Sequence, residues 1–273
     1  MLQAFLKFLG GEPGEEKHMW LLLGKGFFMG IFLATYQVGS ESLFIQELGE
    51  EHLDIAFFTT GFLGILSTII FVNLQARMNF SSLVVTNIFL IFLFIAGTRT
   101  AFEFVTYAGT DQFHYLPFIL FVMMGPITAI TLLGFWGVFG RMFDTRQAKR
   151  IIGGIDTGQL IATTIAFFSI PLITRLPFID QTYDLLFVAG VASFGILFFT
   201  IWIIRSFNID RATKVKRGQK KEQVKFKTIF KDPYTRLLSL FLIFSMGAAI
   251  FVNYTFYSAT ETMFPDEQEL NDF

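Results

Sequence analysis

Residues 55–72 read IAFFTTGFLGILSTIIFV, eighteen consecutive residues that are apolar or small and carry no charge. A strand of a membrane barrel would alternate apolar and polar residues over about ten positions, and this segment does not alternate. An α-helix needs about 20 mainly apolar residues to cross roughly 30 Å of hydrocarbon. The segment therefore predicts a membrane-spanning helix.

Runs of the same kind occur seven times in the 273 residues, at about 18–38, 54–76, 81–98, 115–139, 151–174, 184–204 and 236–260. The whole chain is 53% hydrophobic and 16% charged, with a mean hydropathy of +0.57. These values lie outside the usual range of soluble domains. The predicted fold class is an all-α integral membrane protein, and the lipid bilayer is a predicted partner.

Lysine and arginine are distributed unevenly between the two sides that these helices define. Eighteen basic residues fall in the loops on one side, and only Arg99 and Arg175 fall on the other, with Lys25 inside the first span. Short loops rich in lysine and arginine stay in the cytoplasm. The pattern predicts a multi-pass protein of the inner (plasma) membrane with a cytoplasmic N-terminus.

The order of the segments predicts four regions. Residues 1–17 form a cytoplasmic interfacial segment with a short amphipathic helix, 18–204 a six-span bundle, 205–235 a basic cytoplasmic linker, and 236–273 a seventh span that begins a second half. Secondary transporters are commonly built from repeated helical halves. We interpret the chain as the N-terminal half and span seven of a major-facilitator-like bundle, with a C-terminal half or a cytoplasmic domain as the missing partner.

Several kinds of chemistry find no support in the sequence. The chain has no cysteine, and its three histidines, His18, His52 and His114, are isolated and predicted to be solvated. No catalytic motif or metal-ligand spacing is present. We therefore expect no enzyme activity, no metal, no cofactor and no nucleic-acid partner.

The most specific motif follows the fourth span. Phe135-Trp136-Gly137 is followed by a loop that contains a set of charged residues, Arg141, Asp144, Arg146, Lys149 and Arg150. This stretch resembles the ATP:ADP antiporter family of nucleotide transporters, which are major-facilitator-like carriers. The resemblance implies a secondary transporter that works by alternating access, with a nucleotide as one candidate substrate.

Two departures from that family concern charge. Residues 36–42, YQVGSES, stand where the exchangers carry a cluster of basic and acidic residues, and Met124 stands where they carry a glutamate. ATP carries about four negative charges, and proteins hold phosphate by charge-assisted hydrogen bonds from lysine or arginine. The seven spans offer only Lys25. The substrate therefore stays open, and a transporter-derived scaffold or sensor that anchors a cytoplasmic domain or partner is the alternative function.

Polar residues within the spans are the candidates for a substrate cavity: Lys25, Tyr36, Gln37, Thr128, Thr131, Asp156, Gln159, Thr163, Asn253 and Tyr257. Lys25 and Asp156 are predicted to lie at equal depth, where an ion pair would offset the cost of charge in the membrane. The alternatives are that Lys25 extends its long side chain to the inner headgroups and that Asp156 is stabilised by the positive N-terminal end of its own helix. Glycines at helix-packing intervals predict close helix contacts: Gly26, Gly30, Gly61, Gly64, Gly134, Gly137 and Gly140.

The predicted orientation can be tested by labelling, because the natural chain has no cysteine. A single cysteine introduced at Lys220 should be protected from an impermeant thiol reagent added outside intact cells, and one introduced at Glu50 should react. Permeabilised cells, in which both must react, are the control. The reverse pattern would invert the topology.

Overall fold

The computed structural model describes residues 9–108, 115–174, 182–207, 209–210 and 232–263. They form seven long helices: α1 (Glu16–Leu48), α2 (Leu53–Arg77), α3 (Phe80–Ala108), α4 (Leu116–Met142), α5 (Thr145–Ile173), α6 (Leu185–Ser206) and α7 (Pro233–Met263). Each predicted span coincides with one of them, and all seven are long and apolar enough to cross a membrane. The predicted all-α class is confirmed for the described residues, with seven helices that are long and apolar enough to span a membrane.

Local hydrogen bonds define where two of these helices begin. The backbone N–H of Asp144 donates to Gln147 Oε1 at 3.0 Å, as in a capping box at the start of α5. At the start of α7, Asp232 accepts from the backbone N–H and the hydroxyl of Thr235. These bonds lower the pKa of Asp232. Both helices therefore begin at acidic residues, whose charge also complements the positive helix N-terminus.

Helix α1 is the centre of a bundle formed by α1–α6. It packs along α5 and α6 and against α4, while α2 packs along α4 and α3 along α6. The α1 residues that face these neighbours are fully buried and large: Met19, Leu22, Met29, Phe32, Tyr36 and Phe44. The outer faces of α2 and α5 carry exposed apolar side chains, as expected of helices that face lipid.

Two helix crossings are close because a glycine lies at each of them. A Cβ atom on Gly30 of α1 would lie 2.8 Å from the carbonyl oxygen of Gln159 in α5, and one on Gly125 of α4 would lie 2.5 Å from the carbonyl oxygen of Thr60 in α2. Lipid removes the hydrophobic drive between helices, so close backbone contact contributes much of their attraction.

The predicted role of the other glycines holds for some of them. Gly137 lies against the ring of Phe80, and Gly64 faces the backbone of Gly125. Gly26 and Gly134 make ordinary contacts, whereas Gly61 and Gly140 face no neighbour within 4 Å among the described residues. The prediction is wrong for these last two, because the helix faces on which they lie have no partner helix in the described bundle.

Helix α7 lies outside the core of the bundle. Its described side chains are exposed or half-buried, including Leu237, Phe244 and Phe251. Most of the predicted basic linker, at 208 and 211–231, lies outside the described residues, as does the apolar N-terminal stretch 1–8. The described remainder of the predicted interfacial segment, 9–15, forms turns, with positive φ at Gly10 and Gly14.

The glycine crossings generate a prediction about stability. Gly30→Ala and Gly125→Ala should each lower the free energy of unfolding by about 1–3 kcal/mol, because the added Cβ would overlap backbone atoms and force the helices apart. The measurement is thermal unfolding of the purified protein in one detergent. Gly61→Ala and Gly153→Ala, where a Cβ meets open space, are the matched controls and should change stability little. Equal losses at all four positions would contradict the role of the crossings.

Candidate functional site

Lys25 carries an amino group into the centre of the bundle. It lies on α1 with 1% of its surface exposed, and its Nζ has no hydrogen-bond partner among the described residues. Its Nζ lies 5.7 Å from the ring centroid of Phe135 in α4. A cation above an aromatic face gains some attraction, but far less than the several kcal/mol that burial of an ammonium group costs.

Two further polar atoms near Phe135 also lack partners. Gln159 packs beside Gly26, one residue from Lys25, and its Oε1 is buried without a hydrogen bond. Thr131 is one turn from Phe135 on α4, and its Oγ1 is buried and unpartnered as well. Gln159 and Thr131 lie about halfway along α5 and α4. Three unsatisfied polar groups from three helices are unusual in a bundle interior, where such groups are normally paired. We call Lys25, Thr131 and Gln159 the central polar cluster.

The predicted ion pair between Lys25 and Asp156 is absent. The ion pairs among the described residues involve Arg99 and Arg150 only, and Asp156 is half-buried on α5. The prediction considered only how far Lys25 and Asp156 lie along their helices. It did not consider the direction in which each side chain points around its helix axis. Successive residues of a helix are rotated by about 100°, so Asp156 lies well around α5 from Ile155, which points into the core.

The remaining cavity candidates do not form one site. Tyr36 donates its hydroxyl to the carbonyl of Leu120 at 2.8 Å, which ties α1 to α4. Gln37 donates to Glu41 in the same helix, and Thr163 donates to the carbonyl of Gln159. Of the other three candidates, Thr128 is half-buried on α4, one turn from Thr131, Asn253 is exposed on α7, and the side chain of Tyr257 lies outside the described residues.

The charged loop after α4 has structural contacts at one end of the bundle. We call this end, formed by the starts of α1, α3 and α5 and the ends of α2, α4 and α6, the basic end. Arg141 donates to the carbonyl of Gly137 at 2.8 Å and lies 3.5 Å above the ring of Phe80. Arg146 and Lys149 are exposed. Asp144 begins α5, and Arg150 forms ion pairs with the segment before α1.

That contact was not anticipated from the sequence. Glu15 is buried and accepts from Gln147 at 2.9 Å and from Arg150 at 2.7 Å, while Glu12 also pairs with Arg150. Gly10 lies against the carbonyl of Arg150. Residues 9–15 therefore form a strap across the start of α5. The available signal was a pair of glutamates three residues apart, Glu12 and Glu15, in a stretch that contains three glycines, together with the arginines of the distant loop 141–150.

The prediction of solvated histidines is partly wrong. His52 is exposed, as predicted, and His114 lies outside the described residues. His18 is half-buried, with its ring stacked on that of Phe207 at 4.0 Å and 5.8 Å from that of Phe143. Isolation in the sequence gave no information about these aromatic neighbours, which come from the ends of α4 and α6.

A second ionic cluster joins α3 and α6 at the opposite end. Arg99 donates to Asp184 at 2.5 Å and to Glu103 at 3.2 Å, and its guanidinium lies 4.7 Å from the ring centroid of Tyr183. Asp184 is buried, so the pair shields its charge. The cluster fixes the entry into α6 and gives one of the two basic residues on that side a structural role.

No family model matches the chain, and no match was found among curated proteins or solved structures. The fold itself defines the class: seven long apolar helices, typical of a multi-pass membrane protein.

The environments of Arg99 and Lys25 predict different effects on stability when each residue is replaced by methionine. Arg99→Met should lower the free energy of unfolding by about 1–3 kcal/mol, because it removes the ion pair between Arg99 and the buried carboxylate of Asp184. Lys25→Met should not lower it, because Met fills similar space and removes an unpaired ammonium group from the core. Thermal unfolding of both variants in the same detergent is the measurement. A marked loss of stability in Lys25→Met would reveal a stabilising contact at Nζ and contradict this account.

Proposed function

We propose that the chain is part of a secondary transporter of major-facilitator architecture that works by alternating access. The pairing of helices is the observation that carries the proposal. Exchanging α1 with α4, α2 with α5 and α3 with α6 converts the α1–α5 contact into the α4–α2 contact and leaves the α3–α6 contact unchanged. The α1–α6 contact has no equally extensive counterpart between α3 and α4, so the correspondence is partial. Because α1 and α4 run in opposite directions, the correspondence that remains supports an inverted repeat of three helices, which recurs in major-facilitator halves.

The two glycine crossings follow the same relation. Gly30 brings α1 onto α5, and Gly125 brings α4 onto α2, so equivalent helix pairs are joined by equivalent close contacts. Smooth contacts of this kind support small sliding motions between helices, which rocking of one half against another requires. In this proposal α7 opens the second half, which agrees with its exposed surface.

The central polar cluster is the proposed substrate or coupling site. An ionisable residue inside a membrane bundle is costly and usually functional, and Lys25 has no structural partner among the described residues. Transporter sites also lie near the middle of the bilayer, between repeats, and Gln159 and Thr131 lie halfway along their helices. One cation in the cluster favours a ligand that brings a negative group to it.

The proposal includes a relationship to the ATP:ADP antiporter family. It also includes the location and orientation: the chain lies in the inner (plasma) membrane, with its basic end in the cytoplasm. The motif around Phe135 and the loop 141–150 support the relationship. In the described bundle Gly137 accommodates the ring of Phe80, which joins α4 to α3, and Arg150 joins α5 to the strap.

Alternating access can be tested without knowing the substrate. A single cysteine at Thr131 should react slowly with an impermeant thiol reagent in both right-side-out and inside-out vesicles, because a rocking carrier opens its centre to each side in turn. A cysteine at Ser193, which is fully buried in α6, is the matched control and should react from neither side. Reaction of the Thr131 cysteine from one side only, or from neither, would favour the scaffold or sensor.

We further expect no ATP:ADP exchange at rates typical of the family. Lys25 is one positive charge, whereas phosphate recognition relies on several charge-assisted hydrogen bonds. Uptake of labelled ATP into vesicles loaded with ADP should stay at the level of protein-free vesicles, with a nucleotide exchanger of the family as positive control. Saturable, protein-dependent counterflow would show that the missing charges are replaced by residues outside the bundle.

A further inference from the structure

A groove runs along the exposed face of α6 towards the basic end. Its volume is about 380 Å³, and its described lining is Phe194, Leu197, Phe198, Ile201, Trp202 and Arg205. The three large aromatic residues recur every four positions, and 58%, 53% and 46% of their surfaces are exposed, in chain order. Five of the six lining side chains are apolar, so the groove suits a hydrocarbon chain.

A second, polar pocket begins where the groove ends. It has a volume of about 300 Å³ and lies between the end of α6 and the start of α3, with Arg205, Ser206, Ser81 and Asp210 in its lining. Arg205 lines both spaces. An apolar channel and a polar pocket therefore meet at one exposed arginine, Arg205.

The charges around this junction favour an anion. Asp210 is the acid in the described lining, and it is already engaged, since it accepts from the backbone N–H of Ser81 at 3.1 Å and is attracted by Arg141. Arg205 belongs to none of the ion pairs among the described residues. Lys17 adds a second cation nearby, with Nζ 5.6 Å from the ring centroid of Phe207, another wall of the pocket.

We propose that this junction binds an anionic phospholipid, with an acyl chain along the α6 groove and the phosphate at Arg205. Arginine binds phosphate through two parallel hydrogen bonds, and Trp202 lies one turn away, in the interfacial position that tryptophan favours. A soluble phosphate would use the polar pocket but would gain nothing from the groove. Because Arg205 lines both spaces, the junction favours a molecule that has both parts, whatever the chain transports.

The test is binding of lipids to the purified protein by native mass spectrometry in a mild detergent. Phosphatidylglycerol should bind about tenfold more tightly than phosphatidylcholine with the same acyl chains, and Arg205→Gln should remove most of that preference. Arg77→Gln is the matched control, because Arg77 is also an exposed arginine at the basic end of a helix. It should leave the preference unchanged. Equal affinity for the two lipids, or equal losses in both variants, would overturn the proposal.

A second pair of variants tests the groove separately from the charge. Ile201→Trp should fill the channel and weaken binding of phosphatidylglycerol and phosphatidylcholine alike. Ile165→Trp, at an exposed position on α5, should weaken neither. Glycerol phosphate, which has the headgroup without the chains, should not compete at concentrations equal to those of the lipid. Effective competition by glycerol phosphate, or unchanged lipid binding in Ile201→Trp, would identify a phosphate pocket instead and contradict the lipid site.

Discussion

Two contacts in which one helix backbone lies directly on another hold this bundle together. Gly30 lets α1 meet α5, and Gly125 lets α4 meet α2. In a membrane, apolar side chains gain little by leaving lipid for the protein interior, so helix association depends on close packing. Once these crossings are made, α1 is enclosed by α4, α5 and α6. Its buried polar residues, Lys25 included, therefore end up deep within the six-helix unit.

That position explains why the central polar cluster stands out from the other polar residues. Most polar groups within the helices are satisfied locally: Tyr36 bonds to the backbone of α4, and Thr163 bonds to its own helix. Lys25, Thr131 and Gln159 have no such partners in the described bundle. A protein tolerates such groups where a ligand, an ion or water completes them, which is the reason that this cluster is the candidate site.

The two ends of the bundle use charge in different ways. At the opposite end, Arg99 and Asp184 neutralise each other and fix α6 to α3. At the basic end, Arg150 forms an ion pair with Glu15 of the strap. Arg141 lies over the ring of Phe80 and is attracted by Asp210. Arg205, in contrast, is exposed at the end of an apolar groove. Thus the loop 141–150, which resembles a transporter motif, contributes Arg141 and Arg150 to contacts between segments. Arg205, outside that motif, lies beside the apolar groove that we propose as a lipid site.

The sequence by itself determined the number, length and helical nature of the spans, because a hydrocarbon environment demands about 20 apolar residues and internal backbone hydrogen bonds. It also determined which end is basic, because successive loops lie on alternate sides of the membrane and lysine and arginine are concentrated in every second loop. It could not determine which side chains meet. Lys25 and Asp156 match in depth but not in direction, and Glu15 meets Arg150 across 135 residues of chain. Those pairings depend on the rotation of each helix about its axis, and only the packing of all six helices decides that rotation.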